Sequence, residues 1–272
     1  MKLKEALKDV LTQAEIGILV GAFDVIGTIA IIIIPPPLEV KEHLIADAIL
    51  RTRKNIRTVS KRSGNYSGEF RTIALTTIGG EDLHETFHKE NGVRFCLHPG
   101  KTYFSVRTSH ERQRIAGLLQ DGEEVLVMFS GIAAFPLILA AVGRAGEIVG
   151  IEKNPDAHSY AQKSLALNRR IQNVVLYEGD VRDVLPRLSR TFDRVLMPLP
   201  KTAGDYLDLA LAACRPGGWL HFYDFQPPGA FQDAVAKIGS ACGSRPMTQT
   251  HISVCGHCSP RMYRICVDAL LG

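Results

Sequence analysis

The chain has 272 residues, 46% hydrophobic and 22% charged, with a formal net charge of +4. This is the balance of an ordinary soluble globular protein with room for two unequal domains. It excludes a membrane-spanning chain, because the apolar run Ile29–Ile34 stops at Pro35-Pro36-Pro37, far short of the roughly 20 residues a span requires.

The first segment, MKLKEALKDVLTQA, reads as a charged amphipathic helix without the apolar core of a signal peptide, which predicts a cytoplasmic protein. The cysteines (Cys96, Cys214, Cys242, Cys255, Cys258 and Cys266) then read as free thiols. A strand over Ile26–Ile34 follows. Next comes a helix over Val40–Arg53 with Leu44, Ile45 and Ile49 on one side. Arg57–Lys61, Phe70–Thr76, Glu85–Glu90 and Val93–Leu97 read as short strands, with turns at Ser63-Gly64-Asn65 and Gly79-Gly80. The expected product is a small α+β domain over residues 1–104. Between Arg51 and Arg71 it carries seven basic residues against one acid, Glu69. Such an excess suits a polyanion, although a solvated basic face has the same composition.

From Glu123 the pattern changes to alternating strands (124–129, 147–152, 173–178, 193–197, 218–223) and helices (134–142, 155–168, 202–214, 229–241). Alternation of this kind predicts a parallel sheet covered on both faces. A terminal hairpin over 251–270 completes a seven-strand Rossmann-like domain over 105–272, with an antiparallel last strand. Cys255-Gly-His-Cys258 falls within that hairpin. A structural zinc usually needs two such pairs and only one is present, so a strand without metal is the simpler reading.

Ligands of doubly wound sheets bind at the carboxyl ends of the strands. Those ends are the small-residue turn Phe129-Ser130-Gly131-Ile132, followed by Ala133 and Ala134; the acid Glu152 with Lys153; Asp180 with Val181; and Met197-Pro198-Leu199-Pro200. Glu152 is placed to accept from ribose hydroxyls, or else begins a helix at Asn154-Pro155. Asp180 is placed to accept from an adenine amino group, or else caps a helix. The two alanines stand where a pyrophosphate loop wants glycine, which favours S-adenosylmethionine (AdoMet) over a dinucleotide.

The stretches FDVIGTIAI (23–31), GEFRTIAL (68–75), HKENGVRF (88–95), YFSVRTSHERQRI (103–115), VMFSGIAAF (127–135), MPLPKTA (197–203) and GGWLHFYDF (217–225) make the resemblance specific. The chain resembles the tRNA methyltransferases that modify N1 of the guanosine 3′ of the anticodon, and their wyosine- and wybutosine-synthesis relatives. Full-length members carry a further N-terminal domain that grips the tRNA elbow, and the resemblance covers none here.

That resemblance implies AdoMet as cofactor, the tRNA anticodon stem-loop as partner, and a monomer. It implies Arg71 as the group on guanine O6 and Glu111 as the general base. It also implies Tyr103 near the methionine end of AdoMet, and Arg62, Arg107, Arg112 and Lys201 as tRNA contacts. For Glu111 a solvated salt bridge to its helical neighbours is the structural alternative. Pro198 stands where the family has Asn, which keeps open methylation of a tricyclic wyosine base. Two further alternatives are transfer of the 3-amino-3-carboxypropyl group and a tRNA-binding module without catalysis.

Overall fold

The computed structural model describes residues 2–259 and 261–272, the side chain of Asn65 excepted, so Met1 and Pro260 lie outside the description. Contacts divide the chain into two compact units. The first holds the residues up to Glu90 together with Arg94–Val106, and the second holds Asn91–Val93 and Arg107–Gly272.

The first unit opens with two short helices, α1 (Leu3–Ala6) and α2 (Gln13–Ile18), rather than one. Thr12 breaks the run by capping α2 reciprocally with Glu15. The expected strand 26–34 is a hairpin of β1 (Phe23–Ile26) and β2 (Ile29–Ile32). Gly27 turns it at φ +57°, and a Cβ there would lie 2.2 Å from Thr86 Oγ1. A 3₁₀ turn over Pro36–Lys41 then feeds α3 (Glu42–Thr52).

β3 (Thr58–Ser67) and β4 (Thr72–Gly80) complete a four-stranded sheet in the order β1-β2-β3-β4. Neither expected turn lies between strands. Ser63-Gly64-Asn65 runs within β3, and Gly79 and Gly80 pair with Val59 and Thr58. The chain reverses instead at residues 68–71, where Arg71 N–H donates to the Gly68 carbonyl at 3.3 Å. β5 (Thr86–Glu90) and β6 (Val93–Leu97) form a separate two-stranded sheet. Leu7, Ile32, Leu38, Ile45, Ile49 and Val59 are at the centre of this unit's core.

The second unit begins with α4 (Ser109–Leu118) and then alternates. Its elements are β7 (Glu124–Met128), α5 (Ala134–Ala141), β8 (Glu147–Glu152), α6 (Pro155–Leu167), β9 (Val174–Glu178) and α7 (Val181–Leu188). They continue with β10 (Phe192–Met197), α8 (Leu207–Ala213), β11 (Cys214–Gln226), α9 (Phe231–Cys242), β12 (Met247–Ser259) and β13 (Met262–Leu271). These make a seven-stranded sheet in the order β12-β13-β11-β10-β7-β8-β9, with β13 antiparallel to β11 and β12.

The order reverses between β7 and β10, the crevice where such sheets bind ligands. One face of the sheet is apolar: Leu126, Val149, Val195, Leu220, Phe222 and Val267 pack against residues of α7, α8 and α9. Among the described residues no helix is long and apolar enough to cross a membrane.

Candidate active site

The loop after β7 is built from left-handed residues. Phe129 (φ +57°), Gly131 (φ +58°) and Ala133 (φ +62°) all lie in a region that side chains rarely adopt. Ser130 N–H donates to the Ile151 carbonyl at 2.9 Å, which draws the loop onto the end of β8. Gly150 in β8 makes this approach possible, because a Cβ there would meet Leu176 at 2.8 Å and Ser130 at 3.1 Å. Thus the glycine that permits close approach sits on the neighbouring strand, where the loop motif itself gave no hint of it.

Glu152 closes the loop from the next strand. Its Oε2 accepts from Gly131 N–H and its Oε1 from Asn154 N–H, both at 2.7 Å. Burial pushes the carboxyl upward, against the backbone donors of Asn154, Gly131 and Lys153. Asp180 caps α7 by accepting from Arg182 N–H at 2.9 Å, and Lys153 Nζ lies 2.9 Å from its other oxygen. Although burial raises the Asp180 carboxyl, these two donors hold it below its ordinary value.

Both acids therefore keep acceptor capacity beyond their protein contacts. Ribose hydroxyls and an adenine amino group are donors, so the set fits the nucleoside of AdoMet. Two neighbours gave no signal in the sequence. Tyr206 meets Phe129 edge-to-face at 4.9 Å, and the Arg182 guanidinium lies over Tyr206 at 4.0 Å. Met197 is buried at the end of β10, and Leu199 N–H donates to its carbonyl at 2.8 Å in a tight turn around half-buried Pro198.

Glu111 sits in a polar chain inside the second unit, only 5% exposed. Arg114 grips it with two bonds of 2.8 Å, and Tyr223 Oη donates to Oε1 at 2.6 Å. Burial, with Glu111 nearby, pushes the Cys255 thiol well above its usual value. Arg114 then reaches Asp268 at 2.5 Å, Asp268 takes the His221 ring at 2.6 Å, and His221 Nε2 meets Arg194 at 2.7 Å. Arg194 ends the chain on Glu123 with two bonds of 2.9 Å.

A guanidinium only donates, so His221 Nε2 accepts and its Nδ1–H donates to Asp268. Burial drives the His221 pKa below its ordinary value, with Arg194 and Arg114 adding to this against Asp268. Burial alone would raise Asp268, but His221 and Arg114 hold it well below the carboxylate range. Burial also lifts the Tyr223 phenol well above its usual value, helped by Cys266 and Glu111, so Tyr223 stays a donor.

The other sequence candidates divide between the units. In the first, the Arg71 guanidinium lies 5.0 Å from the Tyr103 ring, and Arg71 holds a left-handed backbone at φ +52°. Arg62 is half-buried there. In the second, Arg107 and Lys201 are exposed, as a phosphate contact requires. Arg112 is a correction: it is 3% exposed and donates to the Thr108 hydroxyl at 2.6 Å, so it braces a helical turn instead of meeting phosphate. The basic run is also weaker than its composition, since Arg57 pairs with Glu81, and Lys61 with Glu39 and Glu42.

Among the described residues the one group with metal-ligand spacing is His221, Cys266 and Asp268, within 4.8 Å of one another. Its imidazole is already committed to Asp268 and to a guanidinium, an unfavourable place for a cation. Cys255 and Cys258 lie along β12 outside that group.

Residues 86–249 match the family model described as the TRM5/TYW2 methyltransferase domain, and residues 3–83 match the TYW2 N-terminal domain. The chain is 35% identical to the tRNA (guanine(37)-N(1))-methyltransferase Trm5b of Pyrococcus abyssi, over 91% of this chain and 74% of the relative. It is 27% identical to the tRNA (guanine(37)-N(1))/4-demethylwyosine(37)-methyltransferase Taw22 of Nanoarchaeum equitans, over 92% and 99%. A tRNA(Phe) (4-demethylwyosine(37)-C(7)) aminocarboxypropyltransferase of Pyrococcus horikoshii is 28% identical over 83% and 79%. Among solved structures, the complex of aTrm5 with tRNALeu superposes with a TM-score of 0.86 at 27% identity, covering 100% of this chain and 78% of that one. Methanocaldococcus jannaschii Trm5 in complex with adenosine gives 0.80 at 27% identity, over 99% and 78%.

Proposed function

The chain belongs to the TRM5/TYW2 methyltransferase family, and from that membership we propose that it methylates N1 of the guanosine 3′-adjacent to the anticodon of tRNA, using AdoMet. The observation that carries this reading is the left-handed loop 129–133 held by Glu152 beside Asp180, a donor-hungry set matched to a nucleoside without phosphate. Phe129, Ser130, Gly131 and Ile132 would line the methionine side, with Tyr103. Glu152 and Lys153 would flank the ribose, and Asp180 and Val181 the adenine. Pro198 would close the mouth. AdoMet supplies an electrophilic methyl group when bound.

The chain's own task is to make guanine N1 nucleophilic. Glu111 accepts the N1 proton, while Arg71 stabilises the charge that develops on O6. Three donors already occupy Glu111, and releasing one would free a further lone pair for that proton. Tyr223, a neutral hydroxyl, is cheaper to release than the doubly bonded Arg114. Arg62, Arg107 and Lys201 position the anticodon stem-loop through phosphates, and the protein acts as a monomer.

Glu111→Gln keeps the shape and most of the hydrogen bonds, so single-turnover methylation should fall about 10²- to 10⁴-fold with tRNA affinity held. Near-wild-type turnover would remove Glu111 as the base. Incubation of unmodified tRNA with methyl- or carboxyl-labelled AdoMet, followed by nucleoside mass spectrometry, tests the reaction class. Retention of the carboxyl label would mean aminocarboxypropyl transfer. Pro198 favours a second substrate, because it offers no side-chain hydrogen bond where the family has Asn. Methylation of a tricyclic wyosine intermediate is therefore the second reading, and the same assay on tRNA bearing that base decides it.

A further inference from the structure

We propose that Tyr66, with Arg62 beside it, is a stacking subsite for an unpaired tRNA base next to the methylated one; this rests on the tRNA reading above. Four side chains of the first unit alternate along its surface. The Arg62 guanidinium lies 5.8 Å from the Tyr66 ring, Tyr66 meets Tyr103 at 5.1 Å, and Arg71 lies 5.0 Å over Tyr103. Unpaired RNA is recognised by such aromatic and guanidinium planes, each stacked base contributing without regard to its identity.

The backbone is arranged to present this ring. Ser63 pairs with Ala74 and Ser67 with Thr72, so residues 64–66 of β3 face Ile73 alone across the ladder. A bulge of this kind bends its strand and re-aims the side chain it carries. Tyr66 is 38% exposed. Beside the bulge lies an open cavity of about 360 Å³, whose lining includes Ile33, Ile34, Arg62 and Gly64.

The angle between the two tyrosines says what the subsite takes. Their rings are inclined at 74°. A base stacked on Tyr66 therefore does not lie in line with the Tyr103 ring, and it is splayed apart from the target base that Arg71 meets beside that ring. Turning one base out of a loop requires that separation, and stacking the neighbour offsets part of its cost.

The test compares wild-type protein, Tyr66→Ala and Tyr66→Phe in fluorescence-anisotropy titrations of the tRNA transcript. The RNA is used intact or with an abasic nucleotide on the 5′ or the 3′ side of the target guanosine. With intact RNA, Tyr66→Ala should weaken Kd about 5- to 150-fold, and Tyr66→Phe should restore binding. One of the two abasic RNAs should weaken wild-type binding by a similar factor and cost Tyr66→Ala nothing further. Losses that multiply for both abasic RNAs, or wild-type affinity in Tyr66→Ala, would overturn the subsite. Failure of the methyltransferase reading would instead appear as tRNA bound by wild-type protein without methyl transfer.

Discussion

The two faces of the seven-stranded sheet are made by the same strands and obey different physics. On β11 and β13, Leu220, Phe222, Ile265 and Val267 turn one way into an apolar core. The alternate residues His221, Tyr223 and Asp268 turn the other way into a chain of charges that ends on Glu111 and Glu123. On the apolar face each residue contributes according to the area it buries, and a substitute of similar shape serves nearly as well. On the polar face the contribution is conditional, because removing one member leaves the hydrogen-bond groups of its buried neighbours unmet. A sheet can thus hold a buried carboxylate rigidly only by making that face intolerant of change.

The largest expected effect contrasts the faces directly. Asp268→Ala should lower the unfolding free energy by about 3–5 kcal/mol, and the isosteric Asp268→Asn should recover little of it. Leu220→Ala should cost about 2–5 kcal/mol, but Leu220→Met less than about 1.5 kcal/mol. Denaturant titrations of the four variants measure all of these. An Asp268→Asn protein as stable as wild type would erase the contrast.

A smaller effect belongs to Tyr223. Tyr223→Phe removes one donor from a buried carboxylate and should cost about 1.5–3 kcal/mol of stability. An unchanged denaturation midpoint would show that this bond contributes nothing in the folded protein.

The smallest effect is a dependence on pH. The folded-state pKa of His221 lies below the ordinary 6.5, so as pH falls below that value the unfolded chain binds a proton that the folded chain refuses. Stability should therefore be full above about pH 6.5 and decline beneath it, by at most about 1.4 kcal/mol per pH unit. Asp268, also held low, adds its own loss below about pH 4. His221→Gln should flatten the first decline; a slope that persists would assign it to another group.

The alternating half of the chain was legible because its strands are short apolar runs ending in small or acidic residues. Val125–Met128, Ile148–Ile151 and Val195–Met197 carry that signal without help from distant contacts. The first half misleads where one backbone angle decides. Gly27 turns a run that composition reads as a single strand, and the bulge in β3 carries Ser63-Gly64-Asn65 through a strand where they resemble a turn.

For the site, Glu152 and Asp180 stand out as acids at strand ends. The burial of Arg112 and the commitment of Arg114 to two acids could not be read, because both depend on what packs around α4. Polar His221, Tyr223 and Asp268 at alternate positions of otherwise apolar strands were the available signal for the buried chain.

The left-handed backbone at Arg71 shapes the choice of control for any mutagenesis of that arginine. An L-residue in this region carries about 1–2 kcal/mol of steric cost. Alanine at the position inherits that cost while losing whatever the guanidinium gives in return. Arg71→Gly removes the same side chain and also relaxes the turn. Comparing Arg71→Gly with Arg71→Ala therefore separates the chemical role of the side chain from the work of holding its backbone in place.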